Sequence, residues 1–327
     1  MKAVQLEEFG GPEVLKTAEI SSPEAGEDEV LIELRASGVN RSDILTRSGS
    51  YHGAGQPPIV PGFEGSGIVR EPGSAATGIS SGDRVLAFGG RPGFYAEYVA
   101  VPIRHVVKIP ENLDWDSAAA LPVAPLSAWY CLQRLAGLRS GEKVLIRAAA
   151  SGVGDAAVQI AKHLGAMVIA TAGSDEKVTW ALENGADEGI NHAREDVLER
   201  TRAIAGEGGV EVILDTVGGS TFGESLKVVG HGGRVVALAN VGLEQSRIDT
   251  RDFYPKNVTI YGFQITNLIQ HLGYDPRDDL GELADLVARN KLKIHVDRTF
   301  PLERAADAHR HLEERLNRGK VIIHPGD

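Results

Sequence analysis

The chain has 327 residues, 42% of them hydrophobic and 24% charged, and a formal net charge of -11 at pH 7. This length supports about two domains with true cores, and the composition excludes a disordered or fibrous chain. Acids are spread along the sequence and no basic stripe exists, which argues against a nucleic-acid partner.

In chain order, the first ~120 residues carry short valine-bearing segments broken by glycine and proline, such as DEVLIELRASGVN, GFEGSGIVREPG, GDRVLAFGG and GFYAEYVAVP. Each reads as a strand closed by a turn, and a sustained helical stripe is missing, so a small, mostly β domain is predicted. A connecting helix is predicted over LPVAPLSAWYCLQRLAG, beginning after Pro125. From Lys143, strands alternate with helices: KVLIRAA, a helix from about Asp155, MVIATA, DEKVTWALENG, EGIN, VLERTRAIAG, VEVILDTVG, TFGESLKVVG, GRVVALA and VTIYGF. Six apolar strands with helical crossovers need cover on both faces, which predicts an α/β doubly wound parallel sheet. After Gly262 the pattern returns to helix and turn and closes on GKVIIHP. That tail is too small for its own core. The predicted organisation is a nucleotide-type domain over 125–265, inserted in a β domain made of 1–124 and 266–327.

Other features set limits. No apolar run reaches membrane-span length, so no membrane partner is expected. The opening residues lack a signal-peptide pattern, which makes the cytoplasm the expected compartment. Cys131 is the only cysteine, so intrachain disulfides and cysteine-rich zinc clusters are excluded. The sequons at Asn40 and Asn257 are chance matches without secretion. No G-x-S-x-G elbow is present, and a lone cysteine without a placed base does not support covalent catalysis.

The stretch from Val144 to Lys177 joins a strand, a tight turn, an apolar-striped helix and a second strand. Ser151, Gly152, Val153 and Gly154 form the turn. Missing side chains there let backbone N–H groups approach a pyrophosphate at a helix N-terminus, the signature of a dinucleotide site. The full G-x-G-x-x-G spelling is absent, since Ala149 and Ser151 occupy the first two glycine positions. An NAD site would carry an acid at the end of the second strand. Here Ala172 and Gly173 stand in that place, followed by Ser174 and, in the next helix, Lys177. This arrangement favours a 2′-phosphate and therefore NADPH. Asp175 and Glu176 count against it unless they serve as first-turn acids, and a solvated surface lysine is the plain alternative for Lys177.

Taken together, GVNRSD, VPGFEGSGIV, GFYAEYVAVP, AAALPVAPLSAWYCL, AAASGVGDAAVQIAK, IATAGSDEK, GADEGIN, VILDTVGG and GKVIIHP recur in order along nearly the whole chain. In these segments the sequence resembles the medium-chain dehydrogenase/reductase superfamily, in its zinc-free quinone oxidoreductase branch. The resemblance implies a GroES-like catalytic domain holding an inserted Rossmann domain, a homodimer, and NADPH-dependent reduction of quinones or activated alkenes. Zinc-dependent alcohol dehydrogenases of this superfamily place metal ligands at slots that are here Asn40, Phe63 and a position near Val123. An amide and a phenyl ring cannot replace a thiolate and an imidazole on zinc, so no metal is expected. Glu64 is expected to have a buried partner or to support the site. His309 and Glu313 share a helix face but supply only a pair.

Without a Lewis acid, a conjugated acceptor is the easier target, since charge developing on hydride addition spreads to oxygen. The resemblance places Asn40 facing nicotinamide and substrate. Tyr51, in RSGSYHG, is a candidate proton donor, with packing or capping as the alternative. Ser42 is a candidate proton relay, or else makes a buried local hydrogen bond. Ser127 corresponds to a hydroxyl near the cofactor, or else caps a helix. His192 occupies a slot where similar reductases carry a tyrosine near the adenine ribose, with an exposed loop histidine as the alternative. Asn240, Phe263 and Gln264 follow strand ends, where ligands gather in open α/β sheets. Lys320 is a candidate pyrophosphate contact or a solvated lysine. Alternatives to quinone reduction are an enone or enoyl-thioester reductase and a non-catalytic NADPH-binding structural or regulatory protein.

Overall fold

The computed structural model describes residues 1–51, 55–241 and 243–326; His52 and Gly53 of RSGSYHG lie outside the described residues. The chain divides into two compact units, Met1–Leu126 with Ile265–Asp327, and Ser127–Gln264.

In the first unit the chain forms β1 (Lys2–Gln5), β2 (Lys16–Glu19) and the long β3 (Glu29–Val39), followed by helix α1 (Arg41–Arg47). Strands β4 (Glu64–Pro72), β5 (Arg84–Phe88), β6 (Tyr98–Pro102) and β7 (Val106–Lys108) come next, then α2 (Trp115–Ala119). Helix α1 departs from the mostly β expectation. At seven residues it covers under two turns, too few for the helical period to register in the sequence.

Helix α3 (Ala124–Trp129) is followed by a π-helical turn, Tyr130–Leu135. It starts at Ala124 rather than after Pro125. Proline is tolerated there because a first-turn N–H has no intrahelical acceptor to lose.

The second unit alternates β8 (Lys143–Ile146), α4 (Gly152–His163), β9 (Met167–Ala172), α5 (Asp175–Glu183), β10 (Glu188–Asn191), α6 (Val197–Ala205), β11 (Val210–Asp215), α7 (Ser220–Val228), β12 (Val229–Ala237) and β13 (Thr259–Gly262). The strands form one sheet in the order β10-β9-β8-β11-β12-β13, and every pairing is parallel. This is the doubly wound sheet predicted from the alternation. Leu145, Ile169, Ile190, Ile213 and Val235 are fully buried in its core with Phe222 and Leu226 of α7. The helix α4 begins at Gly152, earlier than the expected start near Asp155.

The remaining elements, α8 (Ile265–Leu272), α9 (Arg277–Ala288), β14 (Val296–Pro301), α10 (Ala305–Glu313) and β15 (Lys320–His324), belong to the first unit. Its larger sheet runs β14-β15-β3-β4-β5-β7, with β6 also paired to β3. Strand β14 corrects a stretch expected to be helix and turn. Only Phe300 of its six residues is buried, so the strand carries almost no apolar alternation to read.

Candidate functional site

In the second unit the positions singled out in the sequence fall along one edge of the sheet. Because all six strands are parallel, their carboxyl ends share that edge, where ligands collect in open α/β sheets. Ser151–Gly154 follow β8, Gly173 and Ser174 follow β9, His192 follows β10, Asn240 lies beyond β12, and Phe263 and Gln264 follow β13.

The turn after β8 is built by close approach. A Cβ on Gly154 would lie 2.2 Å from the Ala148 carbonyl oxygen and 2.7 Å from the Ala149 Cα. Glycine is therefore what lets the first turn of α4 rest against the strand end. The Ser151 hydroxyl accepts a hydrogen bond from the Gly154 N–H at 3.1 Å and caps the helix. Gly152 and Val153 are the first two helical residues, and their N–H groups point out of the helix start without an intrahelical acceptor. Such donors suit an anion, and the helix dipole favours one there. Ala148, just before the two positions where the motif's glycines are missing, takes a φ of 50°. The unusual backbone falls on a small residue one position before the altered spelling.

At the ends of β9 and β10, Gly173 is exposed and faces an imidazole. A Cβ placed on it would come within 3.3 Å of the His192 ring. Ser174 caps α5 by accepting from the Lys177 N–H at 3.3 Å. Its hydroxyl also binds the Glu176 carboxylate and holds that acid below its usual pKa range. Ser174 is therefore a capping residue rather than the open hydroxyl expected from the sequence. Asp175 is tied to Asn191 at 2.6 Å and to Arg194 at 2.5 Å. Arg194 carried no signal in the sequence, because nothing local marks it as close to the end of β9.

Beyond β11, Thr216 donates from its hydroxyl to the Arg147 carbonyl oxygen at 3.1 Å. A Cβ on Gly218 would meet the Asn240 Cα at 2.8 Å. Asn240 uses its amide to close its own loop, donating to the Glu244 carbonyl oxygen at 2.6 Å and accepting from the Glu244 N–H at 3.3 Å. Phe263 is buried, its ring 5.6 Å from that of Tyr130. Ser127 is buried at the start of this unit. Cys131 is buried too, and burial pushes its thiol well above the usual pKa range, which suppresses any thiolate.

The first unit contains a separate polar centre. Asn40 precedes α1 and is nearly buried; its Nδ2 donates to Glu64 Oε1 at 2.7 Å. Lys320, on β15, donates from Nζ to Asn40 Oδ1 at 2.6 Å, to Glu64 Oε1 at 2.6 Å and to the Val39 carbonyl oxygen at 3.4 Å. The other Glu64 oxygen accepts from the Val123 N–H at 2.6 Å. Two of the three slots that hold metal ligands in zinc-dependent enzymes of the resembled superfamily thus converge on Glu64. Gly38 makes room for it, since a Cβ there would lie 2.2 Å from Glu64 Oε1. Lys320 is corrected here: its three ammonium hydrogens have three internal acceptors, which leaves none for a pyrophosphate.

Asn40 also links this centre to a second buried chain. Its N–H donates to Asp43 Oδ2 at 2.7 Å, and Tyr95 donates to the same oxygen at 3.2 Å. The Tyr95 hydroxyl lies 3.1 Å from His309 Nε2, and Arg47 lies 3.3 Å from His309 Nδ1 while also pairing with Glu313. His309 and Glu313 therefore both meet the Arg47 guanidinium. Among the described residues no group of three or more His, Cys, Asp or Glu is placed to hold an ion. Burial raises Asp43 from 3.8 to about 7 and lowers His309 from 6.5 to about 3. Ser42 Oγ is buried without a hydrogen-bond partner among the described residues. Tyr51 packs its ring 5.3 Å from Phe63 and places its hydroxyl 3.3 Å from Thr266 Oγ1.

Residues 26–111 match the alcohol dehydrogenase GroES-like domain family and residues 152–289 the zinc-binding dehydrogenase family. Human quinone oxidoreductase is 32% identical over 317 residues, covering 95% of this chain and 94% of that protein. The Rattus norvegicus quinone oxidoreductase is 33% identical over 325 residues, covering 99% of this chain and 97% of that protein. A solved Escherichia coli quinone oxidoreductase complexed with NADPH has a TM-score of 0.92 at 30% identity, covering 99% of this chain and 100% of that one. A solved NAD-dependent alcohol dehydrogenase has a TM-score of 0.90 at 33% identity, with both chains covered to 100%. A GroES-like unit with an inserted parallel-sheet nucleotide unit defines a dehydrogenase/reductase, an oxidoreductase class. The chain belongs to the medium-chain dehydrogenase/reductase superfamily, in its zinc-free quinone oxidoreductase branch.

Proposed function

We propose that this protein reduces quinones with NADPH and without a metal. The observation that carries the reading is the alignment of the glycine turn, the Gly173–Lys177 segment, His192, Asn240, Phe263 and Gln264 along the carboxyl edge of one parallel sheet. The fit to a dinucleotide rests on the Gly152 and Val153 donors and on the side-chain-free Gly173 beside His192. The preference for NADPH rests on Ala172 and Gly173 closing β9 where NAD sites carry an acid, and on Asp175 being held by Asn191 and Arg194. When bound, the nicotinamide supplies a hydride to a conjugated acceptor.

The protein's own part is to bind, orient and protonate. Gly152, Val153 and Gly154 receive the pyrophosphate, while Gly173, Lys177 and His192 receive the adenosine phosphate end. Asn40 presents an amide N–H to an acceptor oxygen. Tyr51 holds on its Oη the proton that the reduced oxygen takes up, and Ser42 Oγ is a relay position. Ser127, Asn240, Phe263 and Gln264 steady the cofactor. We include a homodimer in this proposal: β13 is an edge strand with Thr259, Ile260 and Gly262 exposed, a row of backbone groups that a second copy can pair with. Ile260→Pro, at a position whose N–H faces away from β12, should shift the sedimentation of the native protein to that of a single chain; an unchanged value removes β13 from the interface.

The activity is tested by a panel of 1,4-benzoquinones, ortho-quinones, small enones and trans-2-enoyl thioesters under NADPH oxidation. Quinone turnover that survives a chelator is the expected result. Rapid enone turnover with none on quinones overturns the substrate assignment. Asn40→Ala and Tyr51→Phe should each slow turnover by about 10- to 100-fold with the NADPH Kd preserved. Full turnover in both would move the chemistry to other residues. For the cofactor, Lys177→Ala should weaken NADPH by about 10- to 100-fold, the loss of one charge-assisted contact, and leave NADH unchanged. Equal weakening of both dinucleotides would take the 2′-phosphate role away from Lys177.

A further inference from the structure

We infer that Lys320 is a positioning residue that locks the Asn40 side-chain amide in one orientation, rather than a contact to the cofactor phosphates. The inference rests on the proposed role of Asn40. An ammonium only donates and a carboxylate only accepts. With Lys320 Nζ 2.6 Å from one end of the Asn40 amide and Glu64 Oε1 2.7 Å from the other, the oxygen must face Lys320 and the nitrogen must face Glu64. A flipped amide would set N–H against N–H at one end and oxygen against oxygen at the other. Both clamp residues are buried, Glu64 fully and Lys320 to within 4%, so water cannot relieve that mismatch. The Lys320 ammonium is itself fixed by Glu64 Oε1 and the Val39 carbonyl oxygen, and Glu64 is fixed by the Val123 N–H.

One consequence is specific. Of the two Asn40 Nδ2 hydrogens, one is held by Glu64 and the other has no acceptor among the described residues. The clamp therefore decides which hydrogen is offered to a ligand and in which direction. Three strands contribute to this one setting. Lys320 comes from β15, Glu64 from β4, and the Gly38 gap that admits Glu64 from β3.

The test separates a clamp from a phosphate contact and from a purely structural ion pair. In Lys320→Met, kcat with 1,4-benzoquinone should fall by about 10- to 100-fold, the usual effect of releasing a group that orients a reacting one. The NADPH Kd should stay within about twofold. Lys320→Met combined with Glu64→Gln removes both buried charges while keeping their volume, so it should melt close to the wild type and still turn over slowly. The apo protein gives a readout free of catalysis: side-chain amide NMR, with the Asn40 signals assigned by their loss in Asn40→Ala. In the wild type, one Asn40 hydrogen should exchange with solvent far more slowly than those of exposed asparagines, and in the double variant that protection should disappear.

Fast exchange of both hydrogens in the wild type overturns the lock. A tenfold weaker NADPH Kd in Lys320→Met with kcat intact at saturation returns Lys320 to the phosphates. Unchanged kcat and Kd in a folded double variant make the pair structural only. Unimpaired turnover in Asn40→Ala would instead sink the role of Asn40, whereas a slow Asn40→Ala beside a fast Lys320→Met sinks the clamp alone.

Discussion

Gly154→Ala is expected to destabilise the second unit by roughly 3 kcal/mol and to reduce NADPH binding by about 100-fold or more. The added methyl would sit 2.2 Å from the Ala148 carbonyl oxygen and 2.7 Å from the Ala149 Cα. Both neighbours are backbone, so no rotamer change relieves the contact. Either the first turn of α4 lifts away from the end of β8, or the turn at Ala148, already at a φ of 50°, must deform further. Lifting the helix displaces the Gly152 and Val153 N–H groups and breaks the Ser151 cap on Gly154. Gly208→Ala is the control, because a Cβ at that loop position meets nothing within 4 Å. Denaturant midpoints and cofactor titrations of both variants should diverge. If Gly154→Ala matches Gly208→Ala in stability and NADPH affinity, the glycine turn neither packs nor binds as described.

The second large effect is a crossing of two pH profiles. Asp43 is fully buried and its carboxyl is raised from 3.8 to about 7, chiefly by burial and further by Glu64, while the Asn40 N–H, Lys320 and Tyr95 act in the opposite sense. A carboxyl raised in the folded state contributes stability that is complete below about pH 4 and is lost as pH rises through 7. His309 is lowered from 6.5 to about 3 by burial and by the charges of Arg47 and Arg41. Its contribution is complete above about pH 6.5 and is lost as pH falls through 3. Between pH 4 and 6.5 the two slopes oppose each other, so together they leave the wild type nearly level. Asp43→Asn should expose the histidine slope, losing about 3 kcal/mol relative to the wild type as pH falls from 6.5 to 4. His309→Gln should expose the aspartate slope, losing about 4 kcal/mol as pH rises from 4 to 7. Urea unfolding of the three proteins across this range is the measurement. Parallel profiles would mean that neither group titrates as its surroundings require.

The second unit was readable in the sequence because its signals are local. Strand, turn and helix follow one another within about thirty residues, and Gly154 announces its own close contact. The alternation from Lys143 to Gly262 gave the strand count and, through the need for cover on both faces, the parallel sheet. The first unit was less readable for a physical reason. Lys320 meets Asn40 and Glu64 across 280 and 256 positions of chain, and no periodicity encodes such a meeting. A lysine at a strand start reads as solvated until the fold buries it. Ser174 shows the converse error. Its residue type suited a phosphate, yet the same hydroxyl is what a helix start demands, and the local requirement won.

The placement of β15 has a consequence for how the chain is made. This strand lies between β14 and β3 within the larger sheet, so it fills an interior slot rather than trimming an edge. On the ribosome, β3 is completed early, and its neighbour emerges only after the whole nucleotide unit has been synthesised. The inserted unit can close on itself in the meantime, whereas the Ser37–Val39 end of β3 must wait for its partner. Assembly of the GroES-like sheet is thus completed only once β15 has left the exit tunnel.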